Sequence, residues 1–386
     1  MLGPIHPLAS PVGEGGGQPR LSRDAAGAVL LSWLEPVGQA GELALKYARL
    51  TGDDWAGGAV AARGSDWIVS AADLPSVQAL SERLWVADWR VPSPVSPVAY
   101  DIRVSVSADA GSTWSEPLLL NDDATASEHG FVSWFRDGDR AGVVWLDGRD
   151  EAGDVQDASS AEPAGTSLRY ALLGGDGRRL EEGVVDRLTC DCCRTGVALT
   201  AAGAAVVYRD RSADEIRDIA VRVRSAGGWS EPVTLGPDHW QIAGCPINGP
   251  AIDARDRDVV VAWFTAADGR GRVRFARSDD GGASFGAPVD IDADGAFGQV
   301  GVVLVDDGSA FVSWWRRASS GAELAVRSVS RSGRLGERRV VGTTRASRPD
   351  TVPQMQRSGQ RLVFAWTEDT DAGQAVKAAY AELDGA

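Results

Sequence analysis

The chain has 386 residues, 44% of them hydrophobic and 24% charged, with a formal net charge of −15. This content supports a sizeable buried core and excludes general disorder. The negative charge excludes nucleic acid as a partner, because a binder gains affinity by neutralising phosphates, and no apolar run approaches the ~20 residues of a helical membrane span, so no membrane insertion is expected.

Residues 1–20 read as a leader that contains one strand near 5–10, followed by a flexible stretch at Gly13–Pro19. No basic region followed by an apolar run opens the chain. A leader of this kind is what a removed signal or lipid anchor would leave, so an extracytoplasmic location is expected: periplasmic, lipid-anchored or secreted. Residues 21–386 read as one domain.

Within that domain a segment of apolar residues ending in an aromatic recurs. It appears as VLLSW at Trp33, WVADW at Trp89, GVVW at Trp145, AVVY at Tyr208, VVVAW at Trp263, AFVSW at Trp314 and LVFAW at Trp366, spaced 51 to 63 residues apart. Each is preceded by a shorter strand, such as TGVALTA at 195–201, and followed by a second apolar stretch such as YDIRVSVS or RVRFARS. Most repeats then close with a turn and a further strand, as in WSEPLLL at 114–120. Four short strands in each repeat of about 50 residues predict an all-β fold, a single propeller of seven four-stranded blades, with six as the alternative count. The last repeat runs out near Leu383 after three strands. Antiparallel pairing of residues near 5–10 with 375–382 would complete that blade and cover two open sheet edges. A monomer is expected.

Two turns between third and fourth strands share a pattern. Ser107-Ala-Asp109-Ala-Gly111-Ser-Thr113-Trp114 fits S-x-D-x-G-x-T-W at every fixed position, and Ser278-Asp-Asp280-Gly-Gly282-Ala-Ser284-Phe285 fits with conservative changes. AGGWSEP at 226–232 is a degenerate third copy. Short oxygen-bearing side chains bond nearby amides in such turns, and the glycine accepts a positive φ. These residues resemble the Asp-box, or BNR, repeat of the sialidase-like β-propellers. The resemblance implies that the boxes are structural turns on the face opposite the active site, and that glycoside hydrolase chemistry is the enzyme class to expect. The chain departs from the sialidase pattern in two respects: it has no Arg-Ile-Pro motif, and seven repeats instead of six. Tyr47, Tyr170 and Tyr380 occupy matching third-strand positions and read as packing residues.

The unusual residues concentrate at the other mouth of the ring, in blades 3–5. Loops into inner strands carry Glu128-His129, Cys190-Asp191-Cys192-Cys193-Arg194 and His239 to Asn248 with Cys245. Aligning inner strands on Gly196 and Gly249 brings Cys192 and Cys245 to similar height on adjacent blades. Two readings stand for the four cysteines: disulfides, favoured by an even number and an oxidising compartment, or a thiolate site for copper or zinc, with His129 or His239 as a further ligand. Turns between second and third strands add Asp147, Arg149, Asp210, Arg211, Glu215 and Arg217. Such interleaved charges could hold a carboxylate and supply a general acid and base. The stretch from 150 to 166 reads as a lid. Three functions follow: a glycan-acting or glycan-binding propeller, or one for another small acidic ligand; a metal-binding or redox propeller using the Cys/His loops; and a non-catalytic interaction scaffold.

Overall fold

The computed structural model describes residues 2–38, 41–151, 165–346, 349, 351–370 and 373–383. These residues build seven antiparallel sheets arranged as the blades of a ring, and no helix occurs among them. Within six of the blades the strands follow sequence order outward from the central channel, and in the seventh the outermost strand comes from the start of the chain. The inner strands are Gly17–Arg23, Ser76–Ala79, His129–Asp137, Gly196–Thr200, Ala251–Arg255, Ala296–Leu304 and Gln354–Ser358. The first blade starts at Gly17, so Arg20 lies inside the ring and not in a leader.

The second strands are buried on both faces and read as continuous apolar runs for that reason. Trp33, Trp89, Trp145, Tyr208, Trp263, Trp314 and Trp366 are all buried at equivalent places on them. Each blade packs its two faces against its neighbours, and the core is correspondingly divided into seven clusters, one at each interface between adjacent blades. Several buried rings must also satisfy a polar edge. The indole N–H groups of Trp263 and Trp314 donate to Asp238 at 3.0 Å and Asp292 at 2.8 Å, and the Tyr208 hydroxyl donates to Asp186 at 2.6 Å. All three carboxylates come from where the preceding blade hands over to the next, so they latch neighbouring blades together.

The ring is closed by Leu2–Leu8, which pairs antiparallel with Gly373–Leu383 from Leu2↔Leu383 to Leu8↔Ala378. The strand starts three residues before the expected 5–10 because its anchors are Leu2 and Leu8, buried respectively in the clusters between blades 6 and 7 and between blades 7 and 1. Pro4 and Pro7 are exposed on this outermost strand, where a missing N–H blocks further pairing. Blade 4 has a divided outer strand. Gly228–Trp229 and Val233–Thr234 both pair with Ile219–Ser225, interrupted at Pro232.

The turns at 107–114 and 278–285 fold alike. Ser107 Oγ accepts from Gly111 N at 2.8 Å and donates to Asp109 Oδ1 at 2.8 Å, while Asp109 accepts from Thr113 N at 2.8 Å and Thr113 Oγ1 at 2.6 Å. Ser278, Asp280, Gly282 and Ser284 repeat every one of these bonds. Gly111 and Gly282 have φ of 79° and 97°, the left-handed region that a side chain would oppose. Ala110 N and Gly281 N bond to carbonyls at Arg83 and Arg257, which places both turns beside the hairpins joining first to second strands, at the mouth opposite the cysteine loops.

Candidate functional site

Inner strands begin, and second strands end, at the mouth that carries Glu128, the 190–194 loop and the 239–248 loop. Cys192 and Cys245 form a disulfide with Cα atoms 5.9 Å apart, bridging the loops that enter blades 4 and 5. Cys190 and Cys193 are free thiols, each about 1% exposed. Their sulfurs are 2.9 Å apart, and Cys190 Sγ accepts from Arg217 Nη1 at 3.3 Å. That bond to Cys193, with the neighbouring guanidiniums of Arg209 and Arg217, overcomes burial and lowers the Cys190 thiol to about 6. Burial and the adjacent sulfur push Cys193 upward. Arg209 is itself buried and bonds only carbonyls: Asn248 O at 2.9 Å, Phe264 O at 2.8 Å and Arg217 O at 2.7 Å, with Trp240 over its face at 4.9 Å. An anionic sulfur at Cys190 would balance this charge.

The six residues proposed as metal ligands fall into separate groups: Cys190, Cys192 and Cys193 have sulfurs within 4.8 Å of one another and Cys245 is bonded to Cys192, while the two histidines lie apart from them. Cys192 and Cys245 have spent their sulfurs on the bridge, and two guanidiniums stand where a cation bound to Cys190 and Cys193 would need anionic surroundings. His129 belongs to a different group: its Nε2 is 3.2 Å from Asp123 and 3.6 Å from Asp147, and its Nδ1 is 3.2 Å from Tyr100 O. Three ligand atoms of Asp123, His129 and Asp147 lie close enough for an ion. Arg149, however, bonds Asp147 Oδ1 and Oδ2 at 2.8 Å each and lies 3.6 Å from Asp123, so the cationic position is taken by a side chain. His239 is exposed, and among the described residues it joins neither group.

The six charged residues proposed for catalysis divide similarly. Asp147 is fully buried and accepts from Trp145 Nε1 at 2.7 Å, Arg149 N at 3.1 Å and the Arg149 guanidinium. It is saturated, and its work is to latch Trp145 and Arg149. Arg211, Glu215 and Arg217 form a ladder in which Glu215 accepts from Arg211 Nε at 3.0 Å and Arg217 Nη2 at 2.9 Å, and the two guanidiniums hold its carboxyl below the usual range. Asp210 differs. Burial and then the charge of Asp186 raise its carboxyl to about 6, although Arg211 N donates to it at 2.9 Å. The expected lid spans 150–166, and residues 152–164 of it lie outside the described residues.

A second set of groups includes Glu128 and Asp191, which the sequence placed at this mouth without a role, and others that it did not single out. A cleft of about 50 Å³ at the same mouth is lined by Tyr100, Glu128, Glu151, Thr166 and Asp191. Partial burial, then the charges of Glu151 and Asp191, raises the Glu128 carboxyl, which faces the Tyr100 hydroxyl. Thr166 Oγ1 donates to Glu151. Gly130 forms the floor, where a Cβ would lie 2.2 Å from Asp73 Oδ2 and 3.1 Å from the Tyr100 ring. Asp73 is clamped by Arg90, which also grips Asp88.

Beside this cleft, the central channel holds a cavity of about 470 Å³. Arg20 and Arg194 line it half-buried, and among the described residues neither has a carboxylate within ion-pair distance. Arg20 reaches only Leu74 O and Val132 O, each at 3.5 Å; Arg194 donates to Val300 O, and its Nε has no partner. Burial lowers both guanidiniums, Arg194 to about 10; at Arg20 the charges of Asp88 and Asp73 work against burial while Arg90 adds to it, and at Arg194 the charge of Arg20 adds to it. The signal available in the sequence was an arginine on an inner strand at Arg20, and one two residues before an inner strand at Arg194, both lining the channel.

No family model matches the sequence, and no curated protein matches it. Solved structures do. A protein of unknown function from Dyadobacter fermentans is 14% identical, with 98% of each chain covered and a TM-score of 0.50. A mutant of the NanB sialidase from Streptococcus pneumoniae is 10% identical over 98% of this chain and 94% of that one, TM-score 0.50. The GH93 α-L-arabinofuranosidase of Fusarium graminearum, solved with arabinobiose, is 11% identical over 99% and 97%, TM-score 0.50. At these identities the likeness speaks for the fold alone, a β-propeller.

Proposed function

We propose that the protein binds and acts on a glycan, or another small acidic ligand, at the channel mouth beside blades 2–4. The observation that carries this is the convergence there of a carboxyl with a raised pKa and two cations without carboxylate partners. Glu128, whose carboxyl burial and the neighbouring carboxylates push upward, suits a general acid that gives its proton to a glycosidic oxygen. Asp191 and Glu151, on the same cleft, suit the base that activates water. Arg20 and Arg194 suit a ligand's carboxylate or hydroxyls, since a guanidinium without an anionic partner gains most from one. The cavity is of a size that takes a sugar unit. The serine–aspartate turns at 107–114 and 278–285, read as Asp-boxes, support the same family of propellers from the opposite face. The Cys192–Cys245 bridge supports an oxidising, extracytoplasmic setting.

The test is turnover of a panel of aryl glycosides, including acidic sugars, by the full chain, with calorimetric titration of the matching free sugars. Turnover should fall by 10²-fold or more in Glu128→Gln, and sugar affinity should fall in Arg194→Gln. Turnover unchanged in Glu128→Gln, or an absence of both turnover and binding across the panel, would overturn the proposal.

A further inference from the structure

The four cysteines are not used by the proposed glycan chemistry, yet they are arranged for a reaction of their own. We propose that Cys190, Cys193 and the Cys192–Cys245 bridge form a thiol–disulfide exchange centre, with Cys190 Sγ as the attacking sulfur and low-molecular-weight disulfides as the outer substrate. Three observations carry it. Cys190 Sγ lies 3.9 Å from Cys192 Sγ, a bridged sulfur, and 2.9 Å from Cys193 Sγ. Arg217 donates to it at 3.3 Å, which favours the thiolate needed for attack. The far half of the bridge, Cys245, is exposed, while Cys190 and Cys193 are buried, so the bridge stands between the buried thiols and solvent.

The steps balance. The Cys190 thiolate attacks Cys192 Sγ; the Cys190–Cys192 bond forms, the Cys192–Cys245 bond breaks, and Cys245 leaves as a thiolate. Cys193 then attacks Cys190 Sγ; Cys192 leaves and takes up the proton that Cys193 gives up. The sum turns the 190/193 dithiol and the 192–245 disulfide into a 190–193 disulfide and a 192/245 dithiol, with no electrons added. The exposed Cys245 thiolate next attacks a small disulfide R–S–S–R, releasing R–S⁻. Cys192 displaces the second sulfur, which leaves as R–SH with the proton from Cys192, and restores the surface bridge. The net reaction oxidises the buried dithiol and reduces one R–S–S–R to two thiols. The same positive surroundings disfavour a bound cation, which separates this reading from a metal site.

The experiment uses the full chain, fully reduced and then given one equivalent of oxidised glutathione. Samples are quenched in acid, unfolded, alkylated with N-ethylmaleimide and mapped by peptide mass. The expected result is both pairings, 192–245 and 190–193, in a ratio that stays constant with time. Cys193→Ser should instead build up a 190–192 bridge, because the second displacement has lost its nucleophile. A bridge confined to 192–245 at all times, with Cys190 and Cys193 always alkylated, would overturn the proposal, as would one equivalent of zinc or copper bound by the reduced protein and lost in Cys190→Ser. Near-ultraviolet circular dichroism confirms that each variant is folded, and the native-sequence mapping decides the matter where one is not.

Discussion

Leu8→Ala tests the closure of the ring. Leu8 is 7% exposed and sits with Leu21, Trp33, Leu50 and Val363 in the cluster between blades 7 and 1. Truncating a buried leucine costs roughly 2–5 kcal/mol, the lost transfer energy plus the cavity left behind. Unfolding entropy of about 2.1 cal/mol/K per residue amounts to roughly 0.8 kcal/mol/K for a chain of this length, so the melting temperature should fall by only about 2–6 °C. Urea unfolding is the more telling assay: the midpoint should drop with the slope unchanged. Deleting residues 2–8 removes Leu2 as well and bares the Gly373–Leu383 edge, so that variant should also associate, as sedimentation would show. A midpoint for Leu8→Ala within about 0.5 kcal/mol of the parent would refute the claim, since that is the range of surface substitutions.

The two serine–aspartate turns predict acid sensitivity. Hydrogen bonds chiefly from Thr113 and Ser284 hold Asp109 and Asp280 at about 2, so their stabilisation is present above the unfolded value and is lost as pH falls toward 2. A double variant Asp109→Asn, Asp280→Asn should therefore show a shallower loss of melting temperature between pH 5 and 2. Asp210 has the opposite sign. Its carboxyl is raised by burial to about 6, so the contribution present below about 4 is lost as pH rises through 6, and Asp210→Asn should be more stable than the parent by roughly 1–3 kcal/mol at pH 8 and equal to it at pH 4. Gly130→Ala should displace Asp73 from Arg90 and cost about 3–5 kcal/mol by urea unfolding, because a buried pair would lose one partner.

The blades were legible because a second strand buried on both faces has to be an apolar run, and an aromatic at its end marks every repeat. Turn chemistry was equally plain at 107–114, where serine, aspartate and glycine each have a local bonding role visible in the sequence. The starting point of blade 1 was harder to read. Gln18-Pro19-Arg20 lacks the apolar residues of a typical strand, since an inner strand turns one face to a water-filled channel. Setting residues 1–20 apart as a leader hid Arg20. Register brought the bridged pair into view without fixing it: equal offsets from Gly196 and Gly249 placed Cys192 and Cys245 at one height on adjacent blades, and left open which loop cysteine Cys245 would join and whether the sulfurs bridge or hold a metal. The relation between Cys190 and Cys193 did not follow, because it depends on how the loop folds back on itself.

Charge at the mouth has a structural use in several blades. Every blade buries a large ring near the point where the chain crosses to its neighbour, and an indole N–H or phenol there needs an acceptor. Carboxylates at the rim meet that need: Asp147 for Trp145, Asp186 for Tyr208, Asp238 for Trp263 and Asp292 for Trp314. Arginines then neutralise them, as Arg149 does for Asp147, Arg274 for Asp238 and Arg316 for Asp292. Aspartate paired with arginine at the rim is thus the pattern of a structural latch, whether the two are close in sequence, as Asp147 and Arg149 are, or brought together by the fold, as Asp238 is with Arg274. What separates a site from this background is a group whose partners do not account for its charge or its proton. Arg194 with its orphaned Nε, Arg20 with two long carbonyl contacts, and Glu128 among three other carboxylates meet that criterion. A ligand anion in the channel would supply to the two arginines what the rim aspartates already supply to the rest.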